Sequence, residues 1–284
     1  MLLRIGSAVA VMLACFVAGP VVQHSAEVRS AASPAVMPKS FPSDTEWATL
    51  AEREPLAAIA FSIRRYERDV VRFTATFCKQ ERIRGALLPK ERIRVAFRDE
   101  PFAVCMTWLE GGGSAKATVY CRGENDGQML VLLPIVGVRA TDPRGMLPRA
   151  SARYSIEEFG LVQNTRRTLK AWRASADVGA LHTEYLGKRA VQELDGQVCH
   201  IIRRDCPTDE LDGFVPGEPN PVTAKNHADA FRTVTIYLHA ESWLQLGTEL
   251  RRADGTLAGA YWFRDLAINP PLPATQFTRT GLSK

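Results

Sequence analysis

The chain has 284 residues, 46% hydrophobic and 24% charged, with a formal net charge of +5. Such a chain can bury a real core, as one large domain or two small ones. The positive surplus is too small and too dispersed for a nucleic-acid binder and reads as a solvated exterior, with attraction to anionic lipid surfaces as the sharper alternative.

Arg4 precedes the uncharged run Ile5–Val22, which is followed by His24-Ser25-Ala26. A positive start, an apolar stretch and a small residue at the cut describe a secretory signal over residues 1–26. Retained, the same run would serve as a membrane anchor, although Gly19-Pro20 late in it favours a signal. Cys15, after Leu13-Ala14, is a candidate lipid-attachment site, but the apolar run continues past it. Each reading exports the protein to the periplasm or cell envelope, and the expectation is a protein peripheral to the membrane. Residues 27–54, rich in Ala, Ser and Pro at first, read as a tether. Residues 55–284 read as a single domain.

Pro55 opens a helical pattern with Leu56, Ile59, Ala60 and Ile63 on one stripe and Arg64, Arg65, Glu67 and Arg68 on the other. A run of short strands follows over Phe73–Leu133. Phe73-Thr74-Ala75-Thr76-Phe77 alternates, as does Arg92–Arg98, and Phe102, Val104, Met106 and Trp108 share one edge of the next segment. A period of two sends alternate side chains to opposite faces, so the stretch predicts an antiparallel meander with one apolar face. Arg92, Arg94 and Arg98 then point outward, where charges discourage edge pairing. A capping box at Ser155 and Glu158 predicts a helix running to Trp172.

Strands resume at Leu181–Leu186, Arg189–Leu194 and, after the Asp195-Gly196 turn, Val198–Arg204. Thr208–Ala228, crowded with Pro and Gly, reads as a long loop. Phe231–Leu238, Gly247–Arg251 and Leu257–Phe263 complete the strands, and Asp265–Phe277 closes the domain. The predicted class is α+β, mostly β: a strongly curved antiparallel sheet, a half-barrel, plugged by one or two helices.

Five cysteines follow the signal. Cys105 and Cys121 lie on successive strands, almost equally far from the Gly111–Ser114 turn, and are candidates for a cross-strand disulfide. Cys199 and Cys206 are candidates for closing a short loop, and Cys78 reads as a small buried residue. No spacing suits a metal site, and no cofactor motif is present. Catalytic signals are weak as well: His182, His200, His227 and His239 are scattered singly and read as surface or structural residues. The predicted inner face carries Phe73, Phe77, Val95, Phe97, Phe102, Val104, Met106, Trp108, Met129 and Val131. These residues form either a plain core or the lining of a cavity that the helices leave unfilled.

Several motifs resemble one family. Phe77-Cys78-Lys79-Gln80-Glu81-Arg82, Arg98-Asp99-Glu100-Pro101-Phe102, Met106-Thr107-Trp108-Leu109 and Tyr120–Asn125 occur in order. So do Arg153-Tyr154-Ser155-Ile156, Trp243–Gly247, Tyr261–Leu266, Asn269-Pro270 and Gln276-Phe277. Over most of Leu56–Leu282 the sequence resembles the bacterial domain of unknown function numbered 1571, found largely in exported proteins. More distantly it is similar to the lipoprotein carriers LolA and LolB and to RseB, which implies a half-open barrel with a helical plug and, for some members, acyl chains in the hollow. Cys105 and Cys121 stand where the family pattern has an aromatic and an aliphatic residue, and His239 where it has an Asp.

The expectation is thus an exported, non-enzymatic protein that binds a lipid or a lipoprotein's acyl chain in the concave face. The alternative is an envelope protein-protein interaction or stress-sensing module with a closed core. A hydrolase assembled from distant His and Asp residues is the third reading.

Overall fold

The computed structural model describes residues 42–211 and 227–283. The chain divides into two units, Met1–Ser40 and Phe41–Lys284, and the architecture is that of the second. The expected signal, most of the tether and residues 212–226 of the expected loop lie outside the described residues.

Twelve strands form one antiparallel sheet. In chain order they are β1 (Arg72–Ile83), β2 (Ala86–Leu87), β3 (Glu91–Arg98), β4 (Ala103–Glu110), β5 (Ala117–Cys121), β6 (Met129–Leu133), β7 (Gly137–Thr141), β8 (His182–Val191), β9 (Gln197–Glu210), β10 (Phe231–His239), β11 (Gln245–Arg251) and β12 (Leu257–Ile268). Across the sheet the order is β7-β6-β5-β4-β3-β1-β12-β11-β10-β9-β8, with β2 paired to the end of β1. Two consecutive meanders are therefore joined where the first strand meets the last. The sheet does not close, since β7 and β8 are both edges. Bulges in β1, β8 and β10 add local twist and help to curve it into a half-barrel.

Among the described residues four α-helices accompany the sheet: α1 (Asp44–Arg53), α2 (Pro55–Asp69), the short α3 (Met146–Arg149) and α4 (Leu161–Asp177). α2 packs on α1 and α4, and α4 reaches the sheet at β11. Two hydrogen bonds tie α2 to opposite halves of the sheet. Ser62 donates to the Trp243 carbonyl at 2.5 Å, and the Tyr66 hydroxyl donates to Asp99 at 2.6 Å.

Three expectations are corrected. The tether stretch carries α1, started by a capping box in which the Ser43 and Glu46 side chains each serve the other's backbone N–H. Only Trp47 and Ala51 anchor α1, too few apolar residues to show as a stripe. The helix expected from Ser155 begins at Leu161 instead. Ser155 caps only a single turn at Ile156–Glu158, and the chain then breaks at Gly160, whose φ of 136° suits only glycine. The two strands expected before the Asp195-Gly196 turn are one strand, β8, interrupted by a bulge at Gly187.

The cysteine pairings are corrected too. All five cysteines in the described residues are free thiols. Cys105 faces Val119 and Cys121 faces Ala103, so the two are diagonal neighbours. Diagonal neighbours stand roughly 7–8 Å apart, beyond disulfide reach. Cys199 and Cys206 lie on one extended strand, β9, seven positions apart, which no short loop can close. Cys105 and Cys121 instead help form a second, smaller core on the outer face, with Ala96, Val119 and Leu130, under Phe277 and Leu282 of the C-terminal segment. The Cys121 thiol donates to the Phe277 carbonyl at 3.2 Å, and burial raises its pKa to about 11.

α1 is held to the sheet by a titratable contact. Trp47 lies 4.3 Å from the ring of His200, which is fully buried. The His200 nitrogens meet Tyr185 Oη at 2.7 Å and Asp44 Oδ1 at 3.0 Å, and Lys188 donates to Asp44 at 2.7 Å. Burial lowers the His200 pKa from its ordinary 6.5, although Asp44 opposes this. The Lys188 hydrogen bond leads the lowering of Asp44 from 3.8. Below 6.5 the unfolded histidine takes a proton more readily than the folded one, so docking weakens as pH falls. The Asp44 contribution is lost further down, as pH falls through its lowered folded value. We expect amide protection in Asp44–Arg53 to fall between pH 7 and 4 while the β1–β12 pairing stays protected. Unchanged protection of α1 over that range would contradict the assignment.

Candidate functional site

The first meander presents its inner face in rows set by strand register. Phe73 faces Phe97, Phe97 faces Val104, and Val104 faces Tyr120. The next row is Ala75, Val95, Met106, Thr118 and Val131, and the one after is Phe77, Ile93 and Trp108. Phe73 and Phe97 stack at 4.8 Å, Phe97 and Phe102 meet edge to face at 5.4 Å, and Phe77 lies 4.9 Å from Phe263. The structure thus gathers Phe73, Phe77, Phe97 and Phe102 into one aromatic cluster, with Val95, Val104 and Met106 buried beside it. Trp108 on β4 and Met129 and Val131 on β6 are half-buried. Phe159, from the segment leading into α4, drops into this cluster at 5.2 Å from Phe77 and 5.7 Å from Phe263. Here the protein's own side chain occupies the hollow.

A half-open cavity remains on the other half of the sheet, between α4 and strands β9 to β12. This cavity is about 70 Å³ in volume. Trp172, Phe231, Val234, Leu250 and Tyr261 give it apolar walls, and Arg204, Glu210, Gln245, Asn164 and Arg167 give it polar ones. Arg204 is almost wholly buried, and its two terminal nitrogens both reach the Glu210 carboxylate, one of them at 3.0 Å. Its Nη2 also donates to Ser175 at 2.7 Å, while its Nε has no partner. Gln245, 2% exposed, donates to Thr248 at 2.8 Å and leaves Oε1 without a partner. Arg167 lies 3.8 Å over the Tyr154 ring and bonds Asn164 at 2.5 Å.

Between the two regions sits a buried ionic network. Lys79 and Glu81 continue the inner register of β1 after Phe77. Lys79 Nζ lies 2.7 Å from Glu81 and 3.3 Å from Glu91, and it donates to the Ser151 carbonyl at 3.2 Å. Glu91 accepts from the Trp108 indole at 2.6 Å, and Glu81 accepts from Tyr261 at 2.8 Å and from the Arg153 backbone N–H at 3.2 Å. Arg153 is fully buried and donates to the Arg82 carbonyl at 3.2 Å. Burial alone would lower the Lys79 pKa, but the two carboxylates outweigh it and the net direction is upward. The network pins the strap that precedes α4 onto the sheet and satisfies charges that would otherwise be very costly inside.

The sequence places a possible cavity on the first meander, not at this position, and offers no reading of the network. The available signal was a charge standing in an apolar register: Lys79 and Glu81 after Phe77, and Arg204 between Ile202 and Cys206. Among the described residues no group of His, Cys, Asp and Glu is arranged to hold a metal, and no helix is long and apolar enough to cross a membrane. His239 bonds the Ser242 side chain and backbone and so shapes the β10–β11 turn.

The network sets an order of mutational costs. Glu81→Gln leaves Lys79 with one carboxylate, whereas Lys79→Met leaves two carboxylates facing each other. We expect Lys79→Met to cost about 3–5 kcal/mol in urea denaturation and Glu81→Gln less. Tolerance of both within about 0.5 kcal/mol, the range of ordinary surface substitutions, would show that the strap is held by something else.

Comparison with known proteins gives a family and several structural neighbours. No curated protein matches the sequence. Among solved structures, the MucA/MucB complex of Pseudomonas aeruginosa aligns at 13% identity over 83% of this chain and 60% of that one, with a TM-score of 0.39. The chain thus spans about three fifths of the length of the MucB structures it matches. The lipoprotein LppX of Mycobacterium tuberculosis aligns at 12% identity over 78% of this chain and 99% of that one, with a TM-score of 0.42. A LolA superfamily protein of Nitrosomonas europaea aligns at 9% identity over 78% and 97%, with a TM-score of 0.34. The family model described as protein of unknown function, DUF1571, matches residues 70–281. The chain belongs to the DUF1571 family.

Proposed function

We propose that this protein binds an apolar chain, lipid or lipoprotein acyl, between α4 and the concave face of its sheet, with α4 as a movable plug. The observation that carries the reading is the cavity under α4, where plug and sheet fail to meet although both present apolar walls. At about 70 Å³ it has room for a few waters, whereas small-molecule sites are roughly 300–1,000 Å³. α4 must therefore swing away to admit a ligand. Glycines with positive φ stand at both of its ends, Gly160 at 136° and Gly179 at 68°, where the backbone can turn. Each methylene moved out of water contributes ~0.8 kcal/mol, enough over a long chain to offset opening. The half filled by Phe159 would take part only if the strap also lifted, which the ionic network opposes. The ten inner-face residues of the first meander are, on this reading, the wall beyond the entrance.

Such a protein needs no catalytic group and would act in the envelope if the N-terminal run exports it. A second reading, an interaction module with a closed core, is favoured by the packing of Phe159 into the aromatic cluster. The experiment is mass spectrometry of protein purified from its native host, together with titration of an apolar fluorescent dye. Lipid should co-purify, and dye binding should saturate. Val234→Phe, which fills the cavity, should weaken dye binding about tenfold or more without lowering the melting temperature by more than the few degrees that overpacking costs. No co-purifying lipid and no saturable dye would end the proposal, and a stoichiometric protein partner in their place would favour the second reading.

A further inference from the structure

We infer that the cavity under α4 selects an amphiphile with an uncharged, oxygen-bearing head, such as a long-chain alcohol or an acylglycerol, over fatty acids and anionic phospholipids. This rests on the binding reading above and adds the head-group class.

The charges around the cavity are already matched. Arg204 is neutralised by both oxygens of Glu210, and Arg167 has Glu158 at 3.8 Å. An incoming carboxylate or phosphate would meet no free cation there and would be desolvated close to the Glu210 carboxylate, which repels it. Hydrogen-bonding capacity, by contrast, is left over. Arg204 Nε is a buried donor without a partner, and one polar atom of the Gln245 amide is likewise unspent. The second point holds whichever way that amide is turned, because Thr248 can either accept from it or donate to it. A neutral oxygen can accept from Arg204, and a hydroxyl can pair with Gln245 in either orientation. Both side chains are more than nine-tenths buried, so each unmet bond carries a desolvation penalty that such a head would remove.

Arg204 and Gln245 stand on different strands, β9 and the start of β11, with β10 between them. The two spare groups come from different residues, which suits a head with more than one oxygen, as in a monoacylglycerol. Trp172, Phe231 and Leu250 would lie against the adjoining methylenes.

The test is titration of the full-length, delipidated protein with monopalmitoylglycerol, hexadecanol, palmitate and lysophosphatidylglycerol at pH 8, followed by tryptophan fluorescence. Monopalmitoylglycerol should bind at least about tenfold more tightly than palmitate, the effect of one buried hydrogen bond. Gln245→Leu, and separately Arg204→Met combined with Glu210→Met, should shrink that preference. The wild-type comparison stands even if a variant fails to fold. Equal or tighter binding of palmitate or lysophosphatidylglycerol overturns the head-group inference and leaves the binding reading intact. Binding of none of the four overturns both.

Discussion

Strand β1 is held on both sides, by β3 and by β12, and its inner face changes character along its length. Phe73, Ala75 and Phe77 are apolar, whereas Lys79 and Glu81 are charged, Lys79 half-buried and Glu81 buried. The pairing of β1 with β12 joins the two meanders into one sheet. The charged end of β1 fixes where the strap at residues 151–155 must cross it. The remaining arrangement depends on that crossing. It delivers Phe159 into the aromatic cluster of one half and starts α4 over the other, where the fit is incomplete.

The two halves are thereby given different stability. On the β1-to-β7 side stacked rings close much of the inner face, and Phe277 and Leu282 cover part of the outer one. On the β9-to-β12 side, α4 lies over a space with unspent hydrogen-bonding groups. Segments with fewer buried contacts open at lower free energy than the core around them. An opening that begins at α4 leaves the aromatic half and its ionic network undisturbed.

Much of the fold was legible in the sequence because strand alternation is a local signal. Phe73 to Phe77, Ile93 to Phe97 and Phe102 to Trp108 carried the inner face correctly, and Arg92 and Arg94 the outer one. What failed was whatever depended on register or on distant contacts. Distance from a turn suggested that Cys105 faces Cys121, but the pairing offsets them by two residues. Ser155 and Glu158 have the residues of a helix start, yet Gly160 ends that turn at once. The cavity was not legible, since its walls come from α4, β9, β10, β11 and β12 and meet only once β1 and β12 pair. Arg204, Lys79 and Glu81 were the readable hints, as charges in positions where the alternation demands apolar residues.

The central claim is that α4 moves as a unit to admit a ligand. The measurement that tests it most directly is the distance between spin labels at Arg173 on α4 and Arg94 on the outer side of β3, both exposed, with and without monopalmitoylglycerol. Four of the five native cysteines in the described residues are buried and Cys78 is partly so, which favours labelling at the introduced sites. A longer distance at saturating ligand is expected. An unchanged distance under saturating binding would contradict a moving α4.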